Sequence, residues 1–82
     1  MALRAYQREI CQAVFNKRDY AGSNVVINTK NNVTRVYFYG NEIAVVNHKA
    51  KTAKYNNHGF NNACTTARIN AVKMACAELR YK

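Results

Sequence analysis

Residues 35–46 read RVYFYGNEIAVV. Arg35, Tyr37 and Tyr39 alternate with Val36 and Phe38, the period of two that marks a strand with different faces. Gly40-Asn41 suits a two-residue hairpin turn, because both residues tolerate positive φ. That turn would set Tyr39 opposite Glu42, Phe38 opposite Ile43, Tyr37 opposite Ala44, Val36 opposite Val45 and Arg35 opposite Val46.

The pairing extends in both directions. Asn31-Asn32 can make a second tight turn, which places Ile27 opposite Val36 and Val25 opposite Phe38. A three-residue loop at 49–51 would put Val45 opposite Tyr55 and Val46 opposite Lys54. On this register one face collects Val25, Ile27, Val36, Phe38, Ile43, Val45, Ala53 and Tyr55. The other collects Asn28, Lys30, Arg35, Tyr37, Tyr39, Glu42 and Lys54. Independent turns that agree on one apolar face support the register.

The apolar face needs cover, and the two ends of the chain supply it. Residues 2–17 follow a helical period, with Leu3, Tyr6, Ile10, Ala13 and Val14 in one stripe and Arg4, Arg8 and Gln12 opposite. Residues 64–80 repeat it, with Ile69, Val72, Cys76 and Leu79 flanked by the small residues Ala71 and Ala75. Asn62 or Thr65 would cap this second helix. The expected fold is α+β: an antiparallel four-stranded meander with an N-terminal and a C-terminal helix on one face, in the order α-β-β-β-β-α.

Composition limits what such a domain can do. Its 82 residues make a single domain, 1–82, with a thin core. Thirteen Lys and Arg against four Asp and Glu give a net charge of +9, which draws polyanions. Apolar runs are too short to cross a bilayer, and the start lacks a signal-peptide core, so a cytoplasmic, unexported protein without a membrane partner is expected. Cys11, Cys64 and Cys76 lack CxxC spacing and read as free thiols.

Catalytic chemistry finds few residues here. Glu9, Asp19, Glu42 and Glu78 are scattered, whereas a two-metal nuclease needs clustered carboxylates. A zinc site would have to draw four ligands from Cys11, Cys64, Cys76, His48 and His58; Cys76 lies in a helix stripe and Cys11 faces away from its own. A metal-free ribonuclease could use His48 and His58 as acid and base with Lys51 or Lys54 on the phosphate, although both histidines read as solvated turn residues. No cofactor or metal is expected, and the chain reads as non-enzymatic.

Two resemblances bear on function and fold. YGNEIAVVNHKAKTAKYNNHGFNNACTTARINAV, residues 39–72, resembles a pattern in short bacteriophage proteins: a GN-I-A hairpin, a Gly-aromatic pair, a Thr-Thr pair and an R-I-N-A helix start. Here these are Gly40, Asn41, Ile43, Ala44, Gly59, Phe60, Thr65, Thr66, Arg68, Ile69, Asn70 and Ala71. The resemblance implies a phage source, and with it host take-over or anti-defence work in the host bacterial cytoplasm. ARINAVKMACAEL, residues 67–79, is similar to the Ala-rich second helix of double-stranded RNA-binding domains, which place two helices on one side of a sheet in α-β-β-β-α order. That family reads RNA with a Lys-Lys pair at this helix start, where the present chain has Thr65-Thr66.

The expected function is binding of nucleic acid, or of a nucleoprotein complex, through charge and aromatic stacking. The expected binding residues are Lys30, Arg35, Tyr37, Tyr39, Lys54, Arg68 and Lys73. The alternative is an anti-CRISPR-like inhibitor docking on an acidic protein surface, since Tyr and Arg also favour protein interfaces. An open sheet face also suits a homodimer, and outward Tyr and Arg can simply stabilise strands.

Overall fold

The computed structural model describes residues 5–22, 24–56 and 63–81. The chain runs α1 (Ala5–Phe15), β1 (Tyr20–Gly22), β2 (Val25–Lys30), β3 (Val33–Phe38), β4 (Asn41–Asn47), β5 (Thr52–Tyr55) and α2 (Ala63–Glu78). The strands form one antiparallel sheet in the order β1-β2-β3-β4-β5. The meander therefore has five strands where four were expected. Strand β1 is only three residues long, too short to show a period, and it pairs through Tyr20↔Ile27, Ala21↔Val26 and Gly22↔Val25.

The β2–β3 pairing matches expectation, with Val25↔Phe38 and Ile27↔Val36 around Asn31-Asn32. The β3–β4 hairpin does not. Its turn is Tyr39-Gly40, with φ of 51° and 78°, and Asn41 already pairs with Phe38. A bulge then separates Tyr37↔Glu42 from Val36↔Ala44, leaving Ile43 as an extra residue in β4. Beyond it Arg35 faces Val45 and Thr34 faces Val46, one place from the expected register. The β4–β5 pairing shifts likewise, to Ala44↔Tyr55 and Val45↔Lys54, with a four-residue connection 48–51. Ile43, Ala44 and Val46 are buried, whereas Val45 turns to the other face.

Helices α1 and α2 cover the apolar face side by side and run in the same direction. Gln7 Nε2 donates to the Ala67 carbonyl at 3.1 Å near their starts, and Cys11 and Cys76 are buried in the same core further along. Ile10, Ala13, Val14, Ile69, Ala71, Val72, Ala75 and Cys76 join the sheet residues in one core. Cys11, expected outside its stripe, is buried against α2, and Thr65 lies within α2 rather than at its cap. All three cysteines are free thiols; Cys64 is exposed and the other two are buried. The expected positions Leu3, Arg4, Gly59, Phe60, His58 and Asn62 lie outside the described residues.

Both helices end in the same way. Arg18 N–H bonds to the Ala13 carbonyl and Lys17 N–H to Val14, while Tyr81 N–H bonds to Cys76 and Arg80 N–H to Ala77. Each is a Schellman motif, with Lys17 (φ 56°) and Arg80 (φ 60°) at the left-handed position that glycine usually takes. A side chain there costs about 1–2 kcal/mol of backbone strain.

A polar chain runs through the same end of the core. Thr29 and Thr34 hydroxyls meet at 2.8 Å, Thr34 Oγ1 and His48 Nε2 at 2.7 Å, and His48 Nδ1 and the Tyr81 hydroxyl at 2.9 Å. His48 was expected in a solvated turn; it is 6% exposed, and both ring nitrogens are engaged. Burial, reinforced by the nearby Lys17 charge, holds its pKa below the ordinary 6.5.

Two predictions follow from these placements. Phe38 is buried and Tyr37 lies on the opposite face, so Phe38→Ala should cost about 3–5 kcal/mol and Tyr37→Ala about 1 kcal/mol or less in urea denaturation. Equal losses would contradict the register. For His48, the folded chain binds fewer protons than the unfolded chain at pH values between the depressed pKa and about 6.5. Its stabilisation is complete above that window and is lost as pH falls through it. The melting temperature should therefore drop between pH 7.5 and 5.5 in the native protein, and His48→Gln should flatten that dependence.

Candidate nucleic-acid interface

The face of the sheet away from the helices is built from three cross-strand rows. Ala21, Val26, Tyr37 and Glu42 form the first. Asn28, Arg35, Val45 and Lys54 form the second, and Lys30, Val33, Asn47 and Thr52 the third. Lys30, Arg35, Tyr37 and Lys54 thus share one surface, as the alternation in the sequence implied. Tyr37 is half-buried among its neighbours, whereas Lys30, Arg35 and Lys54 are exposed.

Charge on this face is partly neutralised. Arg35 Nη1 donates to Glu42 Oε2 at 3.0 Å across the diagonal of the first two rows. An exposed pair of this kind holds the guanidinium in place for about 0–1 kcal/mol and leaves its remaining donors facing outward. Apolar residues intervene as well: Val26 is 44% exposed, and Val33 and Val45 are half-buried. Alternation alone could not find Val45, because the Ile43 bulge reverses its face.

The other expected site residues stand elsewhere. Tyr39 is the first residue of the hairpin turn, not a strand residue. Its ring meets Phe38 edge-on at 4.6 Å, and its hydroxyl accepts a hydrogen bond from Asn24 Nδ2 at 3.0 Å. Lys73 is on α2, in the opposite layer, with its ammonium 5.2 Å from the centre of the Tyr55 ring. Arg68, also on α2, is engaged by contacts within the fold. Its guanidinium lies between the rings of Tyr6 and Phe38, at 4.5 and 4.4 Å, while Nη1 donates to the Cys64 carbonyl at 2.9 Å. Arg68 therefore joins both helices to β3, a structural role that its place beside a Thr-Thr helix start did not reveal.

Among the described residues, no group of three or more His, Cys, Asp or Glu is placed to hold a metal, and no helix is long and apolar enough to cross a membrane. Arg68→Ala should remove two cation–π contacts worth roughly 0.5–2 kcal/mol each. Its expected signature is a clear loss in thermal stability with the salt dependence of any nucleic-acid binding unchanged; a changed salt slope in a stable variant would return Arg68 to the interface.

No curated protein and no solved structure matches the chain. The Kyanoviridae Gp96 protein family matches residues 3–81, which spans both helices and all five strands. The chain belongs to this family of phage proteins.

Proposed function

We propose that this phage-encoded protein is a non-enzymatic nucleic-acid-binding module, acting in the host cytoplasm, whose ligand crosses the open face of the sheet. The observation that carries this reading is the grouping of Tyr37 with Lys30, Arg35 and Lys54 on a face its own helices leave uncovered. An aromatic ring gives an unpaired base something to stack on, and flanking cations meet the phosphates on either side. The geometry provides one such ring rather than two, since Tyr39 belongs to the turn.

A second reading is docking on an acidic protein or nucleoprotein surface, as an inhibitor of a host or defence component. It is favoured by Val26, Val33 and Val45, which place apolar area in each row of the same face, between its charged residues.

Titration of a labelled mixed-sequence single strand at several salt concentrations separates the two. Affinity should fall steeply with salt, Tyr37→Ala should weaken binding about 5- to 100-fold, and Arg35→Ala should lower the log–log salt slope by about one. Salt-independent binding, or a folded Tyr37→Ala variant that binds like the native protein, would defeat the stacking reading. A one-to-one protein complex that survives nuclease treatment and is lost in Val26→Glu would favour the second.

A further inference from the structure

Three chain reversals and the C-terminal end of α2 meet at one end of the molecule. His48 N–H bonds to the Asn32 carbonyl and joins the β4–β5 connection to the β2–β3 turn. Tyr81, just past α2, bonds to the His48 ring, and Lys17, just past α1, is near enough to depress the same histidine. Asp19 accepts the Thr29 N–H at 2.8 Å and fastens the α1–β1 connection there too. This end carries Lys17, Arg18, Lys30, Lys49, Lys51 and Arg80, all exposed, against the acids Asp19 and Glu78.

The backbone at this end is unusual in a specific way. Among the described residues, the non-glycine residues with positive φ are Lys17, Asn24, Asn31, Asn32, Tyr39, Lys51 and Arg80. Asparagine takes this conformation readily, and the Tyr39 ring and hydroxyl have partners that hold them. The remaining three are all cations, all at this end, and among the described residues none has a side-chain hydrogen bond or ion pair. The sequence thus keeps a positive side chain at three places where glycine would relax the chain. Strain retained in this manner points to use of the side chain.

We propose that this end is a second binding surface, for the phosphodiester backbone of nucleic acid. It shares only its class of ligand with the open face and uses different residues, apart from Lys30 at their border. A backbone ligand fits better than a protein. Apart from Phe15, Ala50 and Ala77, the exposed residues of these turns and caps are polar or charged, and those three do not make the apolar centre that a protein interface needs. Phosphates need only cations, and the two helix C-termini, whose partial negative charge would repel an anion, are followed within three residues by Lys17, Arg18 and Arg80. The same cations could instead serve their own helix ends, but Lys51 lies in a turn between strands.

Glycine substitution separates these roles, because it relieves strain and removes charge together. Lys17→Gly, Lys51→Gly and Arg80→Gly should each raise the melting temperature by a few degrees. Combined, they should weaken binding of a mixed-sequence single strand and of its duplex by at least about 10-fold and lower the salt slope by about two to three. Arg8→Gln, which removes a charge from the exposed side of α1, should leave that slope unchanged. A lower melting temperature would show that the cations stabilise their own turns and would overturn the proposal, as would a triple variant with native affinity and slope. Binding lost in Tyr37→Ala but kept in the glycine triple would defeat this surface and spare the open face; a native protein that binds neither probe would defeat both.

Discussion

The extra residue in β4 is the constraint on which the two faces of the sheet depend. Strand pairing preserves facing, so a slip of one residue would exchange core and surface along a whole strand. Ile43 absorbs that slip locally. Because it has no partner in β3, Ile43 and Ala44 can both turn inward, and the strand resumes with Val45 outward and Val46 inward. Lys54 then stands in line with Val45, Arg35 and Asn28. Without the bulge the apolar run IAVV would have to place Ala44 and Val46 on the open face, leaving the helices less to cover.

Covering that face with two helices running in the same direction has consequences at each end. Small residues at the helix contact, Ala13, Ala71 and Ala75, are buried and let the two axes come close over a thin sheet. At the end where the helices begin, Arg68 fills the junction between Tyr6 and Phe38 with a flat cation that both rings can face. At the end where they stop, two Schellman caps turn the chain sharply, and the Thr29–Thr34–His48–Tyr81 chain satisfies the polar groups buried beneath them. One end is thus closed by an aromatic–cation stack and the other by a hydrogen-bonded chain.

Much of this architecture was legible in the sequence. Asn31-Asn32 set the β2–β3 register correctly, because two residues that accept positive φ sit between alternating runs. Helical periodicity located both helices and the face they cover. The misses have separate physical origins. Gly40-Asn41 looked the better turn, yet packing the Tyr39 ring on Phe38 and bonding its hydroxyl to Asn24 compensate a tyrosine at positive φ. Strand β1 is defined by its partner rather than by its own three residues. His48 follows the polar residue Asn47 and precedes two lysines in a turn, a context that says solvent, and only the tertiary positions of Thr34 and Tyr81 explain its burial. Of the expected site residues, Lys30, Arg35, Tyr37 and Lys54 share the open face; Tyr39, Arg68 and Lys73 do not, because helix and turn positions cannot be related to a sheet face by strand alternation.

The distribution of charge links the two proposed surfaces. A net charge of +9 on 82 residues repels itself, and the described chain offsets little of it with ion pairs beyond Arg35–Glu42. Cations spread evenly over the surface would not gather at one end. Here the third row of the open face begins with Lys30, at the β2–β3 turn, and ends with Thr52, directly after Lys51. On the proposed reading, that row is where the stacking face passes into the strained, cation-bearing turns. A strand lying past Tyr37 toward this border would leave a region of partial neutralisation, where Glu42 holds Arg35, for one where Lys17, Lys51 and Arg80 have no side-chain hydrogen bond or ion pair among the described residues. The phosphate contacts would then be concentrated beyond the base-stacking position rather than around it. Such an arrangement separates the groups that hold a backbone from the ring that meets a base.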